Sequence, residues 1–225
     1  IILGSSIRGR LRADMRLYRK HLEKKYLDEQ NDKQDESEKK IDIPDEIDEN
    51  IWYGKKSEKA QNITTTEALI KLEYASVVWL PVFSPGLPVV WVSCPSLLKR
   101  YHRIAGLKAE VKIPEKYTAS KELWKKALES PDQQFKGKKF IFFNLGFIKI
   151  EREGDFSNWF PSNENLPAIV VDDNDMGMIH DMALYRQSRV ALEEDMKLAK
   201  KGQFFNTEAL PEGTILAFPI AIKPD

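Results

Sequence analysis

The chain has 225 residues, enough for one large domain or one domain carrying insertions, and at 42% hydrophobic it can bury a substantial core. Its 35 basic residues balance 35 acidic ones, so bulk charge points to no polyanion partner, although such a balance can conceal local asymmetry. A single cysteine, Cys94, excludes an internal disulfide framework and a Cys-based zinc site; no apolar run is long enough for a membrane-crossing helix, and a reducing cytoplasm is the expected compartment.

Ile1-Ile2-Leu3 reads as the tail of a strand already in progress, and the natural chain is expected to begin upstream of it. From Ser5 the pattern turns helical. Ile7, Leu11, Met15, Tyr18 and Leu22 recur at steps of three and four, with Arg8, Arg12, Arg16 and Arg19 running beside them. Ser5 or Ser6 is the expected N-cap, and the helix is expected to fade near Leu27. This first stretch is strongly basic, and the next, residues 28–50, is rich in Asp and Glu and reads as a solvated insertion. Residues 62–66 form a polar, strand-prone approach.

The run from Ala75 to Val82 is rich in β-branched and aromatic residues, as suits a strand buried on both faces. Ser84-Pro85-Gly86 is a turn and Val89 to Val92 a second strand. Pro95 sits at a first helical position, with Ser93 or Cys94 as cap. Leu97, Leu98, Tyr101 and Ile104 make the inner face of that helix; Lys99, Arg100, His102 and Arg103 make a basic outer one. A short helix over 121–128, strands at 139–143 and 147–150, a loop over 155–165 holding Trp159 and Phe160, and a strand at 168–171 follow. Asp172-Asp173-Asn174-Asp175 suits a helix N-terminus. Residues 183–192 and 200–208 flank a polar turn and read as a long hairpin, and Thr214 to Ile222 reads as a closing strand. Strands alternating with helices, and a sheet-rich second half, indicate an α+β fold.

Four features carry chemistry. At Gly4-Ser5-Ser6-Ile7-Arg8-Gly9 a turn enters a helix, exposing backbone N–H donors that favour an anion. Arg8 and Arg12, one turn apart, suit successive phosphates; a capped helix with a solvated basic face explains the same residues equally well. Asp172, Asp173 and Asp175 suit a helix cap better than a divalent metal site, having no distant carboxylate partner. His21, His102 and His180 lack ligand spacing, and Cys94, without an accompanying His–Asp set, reads as a buried structural thiol. Arg186 and Arg189 lie on the long hairpin, where they fit either a contact to a nucleic-acid backbone or an ordinary exposed hairpin. Walker loops, dinucleotide fingerprints and Gly-x-Ser-x-Gly elbows are absent from the sequence.

Three blocks together resemble one family. Gly4-Ser5-Ser6-Ile7-Arg8-Gly9-Arg10-Leu11-Arg12 is similar to the signature of the RAMP superfamily of CRISPR proteins. Leu80 to Ser84, followed by Val90-Trp91-Val92-Ser93-Cys94-Pro95, resembles a stretch typical of the fourth subunit of the type III-B (Cmr) effector. Arg189 to Glu193, with Phe204 through Thr214, resembles that subunit's thumb hairpin and the Glu-x-Leu-Pro-x-Gly-Thr after it. The resemblance implies a modified ferredoxin-like (RRM-like) palm over 1–225 as one domain, a thumb at 183–208 and a charged insertion at 28–50. It implies a guide-RNA-binding backbone subunit of a type III effector, with guide and target RNA, other Cmr-type subunits and copies of itself as partners. Gly4, Ser5, Ser6, Arg8, Gly9 and Arg12, with Arg186 and Arg189 of the thumb, are the expected RNA contacts.

The complete subunit is expected to cut target RNA with a divalent metal, Mg or Mn, using an Asp upstream of Ile1; no catalytic residue and no metal ligand is expected within these residues. The alternatives are a structural RNA-binding subunit without nuclease activity and a metal enzyme built on Asp172, Asp173 and Asp175. The family's Gly-rich C-terminal segment is expected beyond Asp225, and Phe83 stands where the family carries Arg.

Overall fold

The computed structural model describes residues 1–31, 47–54, 66–129, 136–161, 164–192 and 199–223. They fall into two compact units: Ile1–Ser76 with Phe218–Asp225, and Val77–Ala217.

In the first unit, helix α1 (Gly4–Asn31) is joined by a short helix α2 (Glu49–Tyr53) and by strands β1 (Ile70–Leu72) and β13 (Ile220–Ile222), which pair antiparallel. Ile2 and Ala75 exchange backbone hydrogen bonds of 2.9 and 2.8 Å, so the strand-like reading of the first residues holds. Helix α1 runs four residues past Leu27. Its apolar stripe is only partly covered: Ile7, Met15 and Leu22 are half-buried, whereas Leu11 and Tyr18 are exposed. Neither Ser5 nor Ser6 caps α1. The carbonyl of Leu3 accepts from Ser6 N (3.0 Å) and Ile7 N (3.1 Å), because the Ile2–Ala75 bridge fixes the chain just before Leu3, ahead of the serines. The polar approach at 62–66 lies outside the described residues except for Thr66.

The second unit is built on a six-stranded mixed sheet, in the order β12 (Ile215–Ala217), β2 (Ser76–Ser84), β3 (Leu87–Ser93), β9 (Ala168–Val170), β4 (Thr118–Ser120) and β8 (Arg152–Gly154). β2 and β3 form a hairpin around Gly86, whose φ of 83° suits a residue without Cβ. β3 runs parallel to β9, β9 antiparallel to β4, and β4 parallel to β8. Both faces of this sheet are covered. Leu80, Val82, Val90, Val92 and Ile169 pack on one side with Leu123 of α4 (Lys121–Lys126) and Met176 and Ile179 of α5 (Asp173–Ala183). Trp79, Ala168 and Val170 pack on the other with Leu98 and Tyr101 of α3 (Pro95–Ile104) and with Phe156, Trp159 and Phe160. Double burial is why β2 reads as a continuous apolar run rather than an alternation.

A three-stranded sheet, β5 (Leu128–Glu129), β6 (Lys139–Phe143) and β7 (Gly146–Ile150), buries Ile141, Phe143 and Ile150 against the first of these cores. The long hairpin pairs β10 (Tyr185–Leu192) with β11 (Ala199–Ala209). The single closing strand expected over 214–222 is instead two, β12 and β13, in different sheets. Pro219 divides them: it lacks an N–H and restricts Phe218, and its carbonyl accepts from Glu73 N (3.3 Å). The α+β class is what the structure shows.

The loop aromatics expected at 155–165 are core residues. Trp79 donates from Nε1 to the Trp159 carbonyl at 2.7 Å and stacks on Phe160 with centroids 4.6 Å apart. Trp79→Phe removes this donor, strands a buried carbonyl and leaves a void, so it is expected to cost about 2–4 kcal/mol in urea unfolding.

Candidate functional site

The anion-binding signature at the start of α1 becomes a groove of about 360 Å3 lined by Gly4, Ser5, Arg8, Glu67, Ala68, Ile70, Lys71 and Leu72. Gly4 is sterically obligatory: a Cβ there would lie 2.1 Å from the Leu72 carbonyl oxygen and 2.9 Å from that of Glu73. The first intrahelical donors are Ser6 and Ile7, so the N–H groups of Gly4 and Ser5 have no backbone acceptor among the described residues. Ser5, Ser6, Arg8 and Gly9 are exposed, and Gly9 has open space around it. Glu67 is the one carboxylate on the groove wall. Hydrogen bonds from Lys71 (3.0 Å) and Lys223 (3.2 Å) hold it ionised, below the usual carboxylate range, and the two ammonium groups offset its charge.

The arginine row does not present itself as a row. Arg10 pairs with Asp14 (3.0 Å). Arg12 donates from Nη2 to Asn50 Oδ1 (3.0 Å), while its Nε is buried without a partner. Arg16 Nε and Arg19 Nη1 hold the two oxygens of the Glu49 carboxylate, each at 3.1 Å, and Arg19 also reaches Glu23 and Asp48. The hydrogen bond from Arg19 to Glu23, outweighing its burial, raises the guanidinium pKa further. Arg8 alone of these arginines has no ion-pair or hydrogen-bond partner among the described residues.

Residues 28–50 are therefore not simply solvated. Their first residues extend α1, residues 32–46 lie outside the described residues, and Glu49 is buried against the arginines. The sequence carried one signal for this: Asp48, whose carboxylate accepts from Asn50 N (2.8 Å), is an N-cap just ahead of the Ile51-Trp52-Tyr53 apolar cluster.

On the hairpin, Arg186 faces Glu208 across the strands and Arg189 faces Phe205, which places the two arginines on opposite faces. Arg189 donates to Gln187 Oε1 at 3.3 and 3.0 Å. Tyr185, Arg189 and Phe205 share one exposed face.

The Asp172–Asp175 cluster is committed to structure. Asp172 caps α5 through Asn174 N and pairs with Lys116 at 2.6 Å, and Tyr117 donates to Asp175 at 3.1 Å. Asp173 caps a different helix, accepting from Ser96 N (3.0 Å) and Ser96 Oγ (2.8 Å) at the start of α3. Cys94 is the N-cap residue of α3 by position but makes no side-chain cap bond; the distant Asp173 supplies it. Burial raises the Cys94 thiol pKa, as a structural cysteine requires. Among the described residues no three His, Cys, Asp or Glu side chains are placed to hold a metal. Lys99 and Arg103 are exposed, and His102 packs near Trp159 (6.0 Å). Among the described residues no helix is long and apolar enough to cross a membrane.

The RAMP superfamily model matches residues 1–223, and the chain belongs to that family. No curated protein matches it. In fold it is similar to a chain of the type III-B Cmr-beta complex solved by cryo-EM bound to cognate target RNA, with TM-score 0.55, 15% identity, and 100% of this chain and 72% of that one covered. It is likewise similar to the crystal structure of Cmr4, with TM-score 0.56, 17% identity, and 99% and 70% covered.

Two substitutions test this geometry. Glu49→Ala leaves Arg16 without its carboxylate and Arg19 with only Glu23 and Asp48, and is expected to lower the stability of the first unit by about 1–3 kcal/mol, read as a loss in urea midpoint. Asp173→Ala is expected to cost about 1 kcal/mol, the usual worth of a helix cap. Desolvation raises the Asp173 pKa, but the Ser96 and Cys94 hydrogen bonds outweigh it and the net shift is downward. The stabilisation is thus present above the unfolded carboxylate value, about 3.9, and is lost as pH falls through the lower folded value. The gap between wild type and variant should close in acid melts.

Proposed function

We propose that the chain is a guide-RNA-binding backbone subunit of a type III CRISPR effector, assembling with guide and target RNA, other Cmr-type subunits and further copies of itself. The observation that carries this is the groove at the start of α1. There the unshared N–H groups of Gly4 and Ser5, the helix dipole and the unpartnered Arg8 converge on open space. Such contacts hold a phosphate backbone without reading bases, as a subunit binding guides of varied sequence needs.

Family membership and the likeness in fold to a complex solved with target RNA support the same reading. The β10–β11 hairpin is the thumb, with Arg186 and Arg189 meeting RNA from its two faces. Arg12 joins the site by exchanging Asn50 for a phosphate.

Target-RNA cleavage by the complete subunit with Mg or Mn is the further part of this reading. It rests on the resemblance alone, which places the cleavage Asp upstream of Ile1. Adding the natural upstream residues and comparing cleavage with Mg, Mn and chelator separates a nuclease subunit from a purely structural one.

For binding, Arg8→Ala is expected to weaken guide-RNA affinity at every guide sequence and to lower the slope of log affinity against log salt by about 1. Unchanged affinity and slope in a salt titration would refute the groove as the phosphate contact.

A further inference from the structure

The β5–β6–β7 sheet has one face buried and the other uncovered. Inward go Ile141, Phe143, Ile148 and Ile150. Outward, in register, come Leu128 opposite Phe140, Phe140 opposite Lys149, and Phe142 opposite Phe147. Leu128 is 59% exposed, Phe142 40% and Phe147 63%. The rings are held rather than splayed: Phe147 lies edge-on to Phe140 with centroids 5.4 Å apart and tilted against Phe142 at 5.9 Å. The backbone beneath them is fixed, since Ser84 Oγ donates to the Phe142 carbonyl at 2.7 Å.

Two exposed phenylalanine rings, a half-buried third and an exposed leucine on one sheet face are a binding surface. Charge decides for what. From Lys136 to Ile150 the chain carries Lys136, Lys138, Lys139 and Lys149 and no Asp or Glu. Lys139 is turned away, donating to the Trp124 carbonyl over that indole ring, and pairs with Glu129. Lys136 and Lys149 are exposed, and Lys149 stands opposite Phe140 on the ring face. Lysine is depleted from protein–protein interfaces, whereas aromatic faces flanked by cations are how single strands are bound: bases stack on the rings and ammonium groups follow the backbone.

We propose that the outer face of the β5–β6–β7 sheet is a stacking platform for unpaired bases of a single-stranded nucleic acid. Phe142 and Phe147 receive the bases, and Lys149 takes a phosphate. The platform belongs to the second unit and the α1 groove to the first.

The test uses the full chain with labelled oligouridylate and oligodeoxythymidylate. Phe142→Ala with Phe147→Ala is expected to weaken single-strand binding about tenfold or more while leaving the salt slope unchanged, because stacking releases no counterions. Phe147→Trp should retain binding, and Lys149→Ala should lower the salt slope by about 1. Weaker binding to RNA alone, or to both oligomers, supports the platform and identifies its ligand. Photo-crosslinking of thiouridine-substituted RNA to residues 136–150 in the wild-type chain gives a reading independent of whether the double variant folds. Affinity within about twofold of wild type in a folded double variant overturns the proposal. So do crosslinks confined to other segments, or a change only in oligomeric state, which would make the face a protein interface. Arg8→Ala separates the two readings: crosslinks to 136–150 that persist in Arg8→Ala belong to the platform, whatever becomes of the groove.

Discussion

The first turn of α1 lies against the backbone of the strand beside it so closely that position 4 admits no side chain. The Leu72 carbonyl oxygen occupies the space a Cβ would need. Three consequences follow from that contact. The helix begins immediately after the Ile2–Ala75 bridge, its first N–H groups open beside Glu67, Lys71 and Leu72, and Arg8 stands one turn up the same wall. A glycine that reads in sequence as a loose turn residue is in fact a close backbone approach that admits no Cβ, and the anion-binding geometry is its by-product.

Electrostatics then sorts the arginines. A basic helix followed by an acidic segment invites two independent readings, a gripping face and a solvated insertion. The structure joins them, because Glu49 is taken out of water and its two oxygens are shared between Arg16 and Arg19. A carboxylate so enclosed is tolerable only with such partners, and guanidinium groups so engaged are no longer at the disposal of a ligand. What remains outward at the helix start is Arg8. The same logic removes the aspartates at 172–175 from metal chemistry: each carboxylate already satisfies a helix N-terminus, a lysine or a tyrosine.

In the second unit the sheet hides both faces, whereas the small β5–β6–β7 sheet hides one. Ile141 and Phe143 go into the core, while Phe142 between them goes to solvent. The alternation is ordinary for a half-buried sheet, but phenylalanine at the solvent positions is not, and Lys149 shares their face.

Much of this was legible in the sequence. Periodicity located α1, α3, the β2–β3 pair and the β10–β11 hairpin, since apolar spacing follows directly from which face is buried. The double burial of β2 was written in its unbroken apolar run. The Gly-Ser-Ser helix entry, with the two blocks after it, pointed to the RAMP superfamily. What the sequence could not decide was who pairs with whom over long separations. That Asp173 caps a helix begun 78 residues earlier, at Pro95, that Glu49 sits between Arg16 and Arg19, and that Trp159 belongs to the core with Trp79 are all facts of the folded chain. So is the division of the last strand at Pro219 between two sheets. Local pattern determines the elements because it records burial; only tertiary structure assigns polar partners, because a carboxylate or a guanidinium carries no record in sequence of the distant group that will satisfy it.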